Sequence, residues 1–158
     1  MAVRAAELRR RPAVAYRRIL VPLVADEESE TAVALAAELA DDRGSTITAI
    51  VVVEMPAELP LEAHMLEEEA EAKRTLEDAR AIAYSRGVNV RTQTVRARLA
   101  GEAIVAEAER VHADLVVLRA PRKQGLSRRR GRCFGKTVDY VVKHAPCRVM
   151  VAAPPPSG

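Results

Sequence analysis

The chain has 158 residues, enough for one domain that buries roughly 70% of its unfolded surface. Hydrophobic residues make up 49% of it, with one Phe and no Trp, so the core must be built from Val, Ile, Leu and Ala. That aromatic poverty argues against single-stranded nucleic-acid binding, and the net charge is only +3.

Taken in chain order, residues 1–16 read as a flexible arm carrying Arg4, Arg9, Arg10 and Arg11. Ile19-Leu20-Val21 reads as a short buried strand that Pro22 ends, because proline brings no N–H to a ladder. Ser29 is placed to cap a helix whose Ala32, Leu35, Ala36, Leu39 and Ala40 recur at i, i+3, i+4, i+7 and i+8, with Gly44 as its C-cap. Ile47 to Val53 is almost wholly apolar and β-branched, as a strand covered on both faces should be. Pro56 and Pro60 bound a loop, and a long helix is predicted from Glu62 to about Arg86, with Met65, Ala72, Leu76, Ala79 and Ala83 inward and Gly87 closing it. Val88, Val90, Thr92, Thr94 and Val95 suggest a strand nearer a sheet edge. Gly101-Glu102 begins a helix carrying Ile104, Val105, Ala108 and Val111. Leu115 to Leu118 is a further buried-type strand, Val138, Val141, Val142 and Ala145 share a helical face, and Arg148 to Ala152 is the last strand. Pro154-Pro155-Pro156 cannot continue a ladder, so residues 154–158 read as a disordered tail. Strands alternating with helices imply a parallel sheet covered on both faces, within a single α/β domain over residues 17–153. Periodicity alone leaves the strand order open.

Charge is segregated along this frame. From Arg119 to Lys136 there are eight Lys or Arg and no acid, whereas seven Glu lie between Glu54 and Glu71 without a Lys or Arg. Strand, basic loop and a helix opening on Gly135-Lys136-Thr137 is an arrangement suited to a phosphate-bearing anion. Amides at a helix N-terminus are unpaired, and the helix dipole favours negative charge there. Gly131 to Thr137 misses the P-loop spacing by one residue and lies far from its strand, which argues against a P-loop ATPase. His64, His112 and His144 are scattered, Glu67-Glu68-Glu69 point around a helix, and no nucleophile or zinc spacing occurs, so neither an enzyme nor a metal site is expected. Cys133 and Cys147 form no disulfide framework, and Cys147 reads as a core residue. No signal peptide or membrane-length apolar run is evident, so a cytoplasmic location is expected.

Several stretches together carry a resemblance. Arg18-Ile19-Leu20-Val21-Pro22, Gly101-Glu102-Ala103-Ile104, Ala113-Asp114-Leu115-Val116-Val117-Leu118, Gly125, Gly135 and His144-Ala145-Pro146-Cys147-Arg148-Val149-Met150-Val151 resemble the universal stress protein family. Phe134 to Tyr140 is similar to the subgroup found as a cytosolic domain on prokaryotic amino-acid permeases. The resemblance implies a five-stranded parallel sheet of order 3-2-1-4-5 with helices on both faces, Rossmann-like and of the adenine-nucleotide alpha-hydrolase type. It also implies a homodimer paired through the C-terminal strand. It implies a crevice between the first and fourth strands for ATP or a related nucleotide, with Pro22, Leu23, Val24, Val52, Arg119, Arg122, Gly125, Gly135, Lys136 and Thr137 as candidate binding residues.

The chain departs from that family's pattern. Gly125 and Gly135 match its second and third glycines, but Arg122 replaces the first and Arg119 stands where a glycine usually follows the fourth strand. Lys136 occupies the Ser/Thr position, with Thr137 one place late, and Val24 holds the acidic position, with Asp26 and Glu27 nearby. An arginine in place of glycine fills space near a phosphate, yet its forked guanidinium also clamps one. Three readings stay open: an adenine nucleotide, another polyanion, or no ligand, with the basic loop docking an acidic protein partner. Neither a membrane nor a nucleic acid is an expected partner.

Overall fold

The computed structural model describes residues 16–25, 29–40, 44–120 and 135–153. Within them strands and helices alternate: β1 (Arg18–Leu23), α1 (Glu30–Leu39), β2 (Thr46–Glu54), α2 (Leu66–Ser85), β3 (Val90–Ala97), α3 (Ala100–Arg110), β4 (Leu115–Arg119), α4 (Lys136–His144) and β5 (Arg148–Ala152). The strands form one parallel sheet in the order β3-β2-β1-β4-β5. This is the expected order, and it puts β3 at an edge, as its sparser apolar residues suggested.

The two-residue period of a strand divides the core. Ile19, Val21 and Leu23 of β1 enter one layer with Ala32, Val33 and Ala36 of α1 and Ala72, Leu76 and Ala79 of α2. Leu20 enters the opposite layer with Ile104 and Ala108 of α3 and Val138 and Val141 of α4. The first two crossovers therefore cover one face and the last two the other, so the winding reverses at β1. That reversal is where open α/β sheets leave a crevice at the carboxyl ends of their strands.

Pro22 does not end β1. The ladder with β2 runs through Leu23↔Val51, while the ladder with β4 stops at Leu20↔Val116. A residue without an N–H fits an interior strand only where one neighbour makes no demand on it, and β4 makes none beyond Leu20. Three helix boundaries also differ from expectation. Prolines 56 and 60 each open a turn (Leu59 N–H to the Pro56 carbonyl, 3.1 Å; Ala63 N–H to the Pro60 carbonyl, 3.0 Å), so Glu62 to Met65 remain in the connection and α2 begins at Leu66. Gly44 has φ +120°, yet α1 ends earlier with Ala40 as its cap, so this glycine serves the turn into β2. Helix α3 closes before Val111, which is its C-cap.

Helices α2 and α3 end in the same device. Gly87 (φ +76°) donates to the Tyr84 carbonyl and Val88 to that of Ala83, at 3.0 and 2.9 Å. His112 (φ +52°) donates to Glu109 and Ala113 to Ala108, at 3.2 and 2.9 Å. Both are Schellman closures, the second with a histidine at the left-handed position that glycine usually takes. At the amino edge of the sheet, Asp114 accepts hydrogen bonds from the Arg17 and Arg18 amides (2.9 and 3.0 Å) and returns its own N–H to the Arg18 carbonyl (2.9 Å). This clasp fixes the register of β4 against β1.

Candidate functional site

Divergence of β1 from β4 sets the site's position. β1 runs three buried residues past the last pair it makes with β4, through Val21 and Pro22 to Leu23, and then Val24 stands 60% exposed. By strand alternation Pro22 shares the face of Leu20, the α3/α4 face, and Val52 of β2 packs half-buried against the same layer. At the end of β4, Arg119 is half-buried and in register with Ala152, and the next amide, that of Ala120, donates to the Ala152 carbonyl at 2.7 Å.

Helix α4 begins at this same carboxyl edge. Gly135 is its N-cap with φ +84° and ψ 165°, a conformation essentially restricted to glycine. The first intrahelical bond runs from the Asp139 amide to the Gly135 carbonyl at 3.0 Å. The amides of Lys136, Thr137 and Val138 thus precede the helical ladder, and among the described residues no side chain caps them. Lys136 is exposed and Thr137 half-buried. One turn along, Tyr140 lies against α3, and a Cβ added to Gly101 would fall 2.9–3.0 Å from three of its carbons. Gly101 therefore lets α3 approach α4 closely and so fixes where α4 begins. His144, the last residue of α4, lies against Tyr140 with ring centroids 4.3 Å apart.

Of the candidates read from the sequence, Pro22, Leu23, Val24, Val52, Arg119, Gly135, Lys136 and Thr137 all lie toward the carboxyl edge of the sheet. Arg122 and Gly125 lie outside the described residues, as do Asp26, Glu27 and Cys133. Sequence reasoning missed the supports of this edge. Glu54, ending β2, accepts the Ala100 amide at 3.0 Å and so caps α3, and the Met55 amide donates to the Ala97 carbonyl at 2.8 Å. Arg98 donates to the Pro56 carbonyl, and Arg96 pairs with Glu69. The hydrogen bond from Arg96, outweighing the effect of burial, holds the Glu69 carboxyl below the ordinary glutamate range. A glutamate ending an apolar strand just before a helix was the available signal for Glu54.

At the opposite edge Cys147 is half-buried, and burial followed by the charge of Asp114 pushes its thiol above the ordinary cysteine range. Among the described residues no three His, Cys, Asp or Glu side chains gather as a metal site, and no helix is long and apolar enough to cross a membrane.

A doubly wound sheet of order 3-2-1-4-5 with a helix N-terminus at its switch point defines a Rossmann-like class of α/β module. The family model "Universal stress protein family" matches residues 15–153, and the chain belongs to that family. Among solved structures, the universal stress protein UspA from Lactobacillus plantarum is 26% identical, with a TM-score of 0.66 over 88% of this chain and 99% of that one. The universal stress protein from Archaeoglobus fulgidus in complex with dAMP is 22% identical, with a TM-score of 0.67 over 88% and 99%. A universal stress protein family protein from Arabidopsis thaliana with AMP bound is 17% identical, with a TM-score of 0.60 over 88% and 92%. No curated protein matches the sequence significantly.

Proposed function

We propose that this chain is a cytoplasmic, nucleotide-responsive regulatory module that performs no chemistry of its own. An adenine nucleotide docks its phosphates on the amides that open α4 and on Lys136, while the head group rests against the end of β1. The observation that carries this reading is Gly135, held at φ +84°, after which three amides, uncapped among the described residues, open α4 at the carboxyl edge where the β1–β4 ladder has ended. Proteins of the same fold in complex with dAMP and with AMP bound support it. The sequence adds Arg122 and Lys123 as phosphate partners, with guanidinium in place of glycine. The working unit is a homodimer joined through β5, an outer strand whose Val149, Met150 and Val151 are half-buried and whose neighbouring helix exposes Val142 by 54%.

The test is to denature protein purified without added nucleotide, identify released small molecules by mass spectrometry, and titrate the native chain with ATP by calorimetry at low and physiological salt. Saturable binding at physiological salt that Gly135→Val abolishes supports the reading, and an empty protein with no heat of binding refutes it. Sedimentation of a monomer at micromolar concentration would remove the dimer. A second reading has one observation behind it: the sequence from Arg119 to Lys136 carries eight basic residues, in a chain whose Glu58, Glu62, Glu67 and Glu68 are exposed. Under that reading the basic segment docks an acidic protein surface, and Gly135→Val leaves the association intact.

A further inference from the structure

The amino edge of the sheet, opposite the site described above, holds a cleft of its own. It is open, about 400 Å³ in volume, and lies between the end of α3 and the turn entering β5, lined by Ala108, Glu109, His112, Ala113 and Pro146. Three of these residues are apolar and two carry ionisable side chains that are exposed. Among the described residues, neither the Glu109 carboxylate nor the His112 imidazole has a hydrogen-bond or ion-pair partner. The cations nearby leave Glu109 uncompensated: Arg110 is bound to Glu107 and Gln93, and Lys143 and Arg148 make no ion pair with it. The end of α3 is also the negative end of its dipole, so charge here favours a cation, the reverse of the start of α4. His112 lines the cleft from a left-handed backbone (φ +52°) that penalises any residue with a Cβ. Glycine would close α3 without that strain but would leave the cleft without its imidazole. Backbone strain beside a cavity is a mark of a binding position.

We propose that this cleft binds a small primary alkylamine in its ammonium form. The ammonium donates to the Glu109 carboxylate and to the His112 ring, and the alkyl body rests on Ala108, Ala113 and Pro146. An ammonium has three donors and no acceptor, which suits a carboxylate beside a neutral imidazole that offers one acceptor nitrogen. An anion of the same size would meet the Glu109 charge and the negative end of α3. The site shares no residue with the carboxyl edge and stands whether or not a nucleotide binds there.

Butylammonium, n-butanol and butyrate share one apolar body and differ in charge. Each is titrated into the isotope-labelled full chain at constant ionic strength and about pH 8, above the usual range of imidazole titration, while amide resonances are followed by NMR. Butylammonium is expected to saturate with a Kd on the order of millimolar, shifting the amides of Glu109, His112 and Ala113. Butanol should bind about fivefold more weakly, the upper weight of an exposed ion pair, and butyrate should not saturate. Glu109→Gln keeps the size of the side chain and is expected to bring butylammonium down to the affinity of butanol. His112→Gly is expected to weaken butylammonium about threefold, roughly one modest hydrogen bond, while raising the thermal midpoint. A histidine with a purely structural role would not give those opposite effects. Equal affinity for the three probes, tighter binding of butyrate, no saturation by butylammonium, or an unchanged Kd in either variant overturns the proposal.

Discussion

Replacing Gly101 by alanine sets two known effects against each other at one atom. Gly101 is the second residue of α3 and has no positive φ, so backbone preference favours alanine by about 0.8–1 kcal/mol. The new Cβ, however, would stand 2.9 Å from Tyr140 Cδ1 and 3.0 Å from its Cβ and Cγ. Ordinary contact begins near 3.4 Å, and Tyr140 Cβ is tied to the backbone of α4, so rotating the ring cannot relieve the overlap. Overpacking of this kind costs roughly 1–3 kcal/mol, which leaves a net destabilisation of about 1 kcal/mol. Urea unfolding should show a lower midpoint with an unchanged slope. In a Tyr140→Gly background all three close contacts disappear, and the same Gly101→Ala change should become neutral or mildly stabilising. The opposite sign in the two backgrounds is the signature of direct contact. Stabilisation of the parent protein by the full propensity term would refute the close approach of α3 to α4. If the contact holds, Gly101→Ala should also weaken ligand binding by displacing the start of α4.

His112→Gly should stabilise the chain by about 1 kcal/mol, because His112 occupies a left-handed conformation (φ +52°) at a helix end where glycine bears no Cβ penalty; a shift in thermal midpoint measures it. Asp114→Ala removes two hydrogen bonds from the Arg17 and Arg18 amides to a carboxylate and should cost about 2 kcal/mol in urea unfolding, without changing helical content by circular dichroism. The Glu69 pKa is depressed in the folded state, so its contribution is fully present above the ordinary glutamate value of 4.5 and is lost as pH falls from there through the lowered value. Parent and Arg96→Gln proteins should therefore converge in stability as pH falls from 4.5 through the lowered value, and a difference undiminished once Glu69 is protonated would contradict the pairing. In a Cys133→Ser background Cys147 should react with iodoacetamide at neutral pH more slowly than a free thiol, since burial and Asp114 both oppose its thiolate.

Elements with a strong apolar period were legible in the sequence, and those governed by hydrogen-bond supply were not. Ile47 to Val53 and Leu115 to Leu118 declared buried parallel strands because both faces are covered. The extent of β1 was misread at Pro22 because a missing N–H matters only on the side where a neighbour would use it, and no local pattern tells which side β4 leaves open. The start of α2 was misread because Glu62 to Met65 satisfy a helical period, while the turns on Pro56 and Pro60 hold them in the connection. Strand order came from resemblance and not from periodicity, since every order of five parallel strands places the same residues inward.

The same asymmetry governs the site. Gly135 was visible as a motif, and its positive φ gives the motif a physical reason: it is the N-cap from which α4 opens, with no side-chain cap on its first amides among the described residues. Fixing that helix requires more than Gly135. Tyr140 against Gly101 sets its distance from α3, Glu54 caps α3 from the end of β2, and Val138 and Val141 anchor α4 in the core. None of these three supports carries a phosphate-binding signature. Together they hold the start of α4 at the carboxyl edge of the sheet, and on the reading proposed above this arrangement keeps affinity for phosphate after individual glycines of the loop have changed. Loop substitutions such as arginine at 122 would then alter the strength and selectivity of binding, whereas loss of Gly135 or of the α3–α4 contact would remove the geometry on which binding depends.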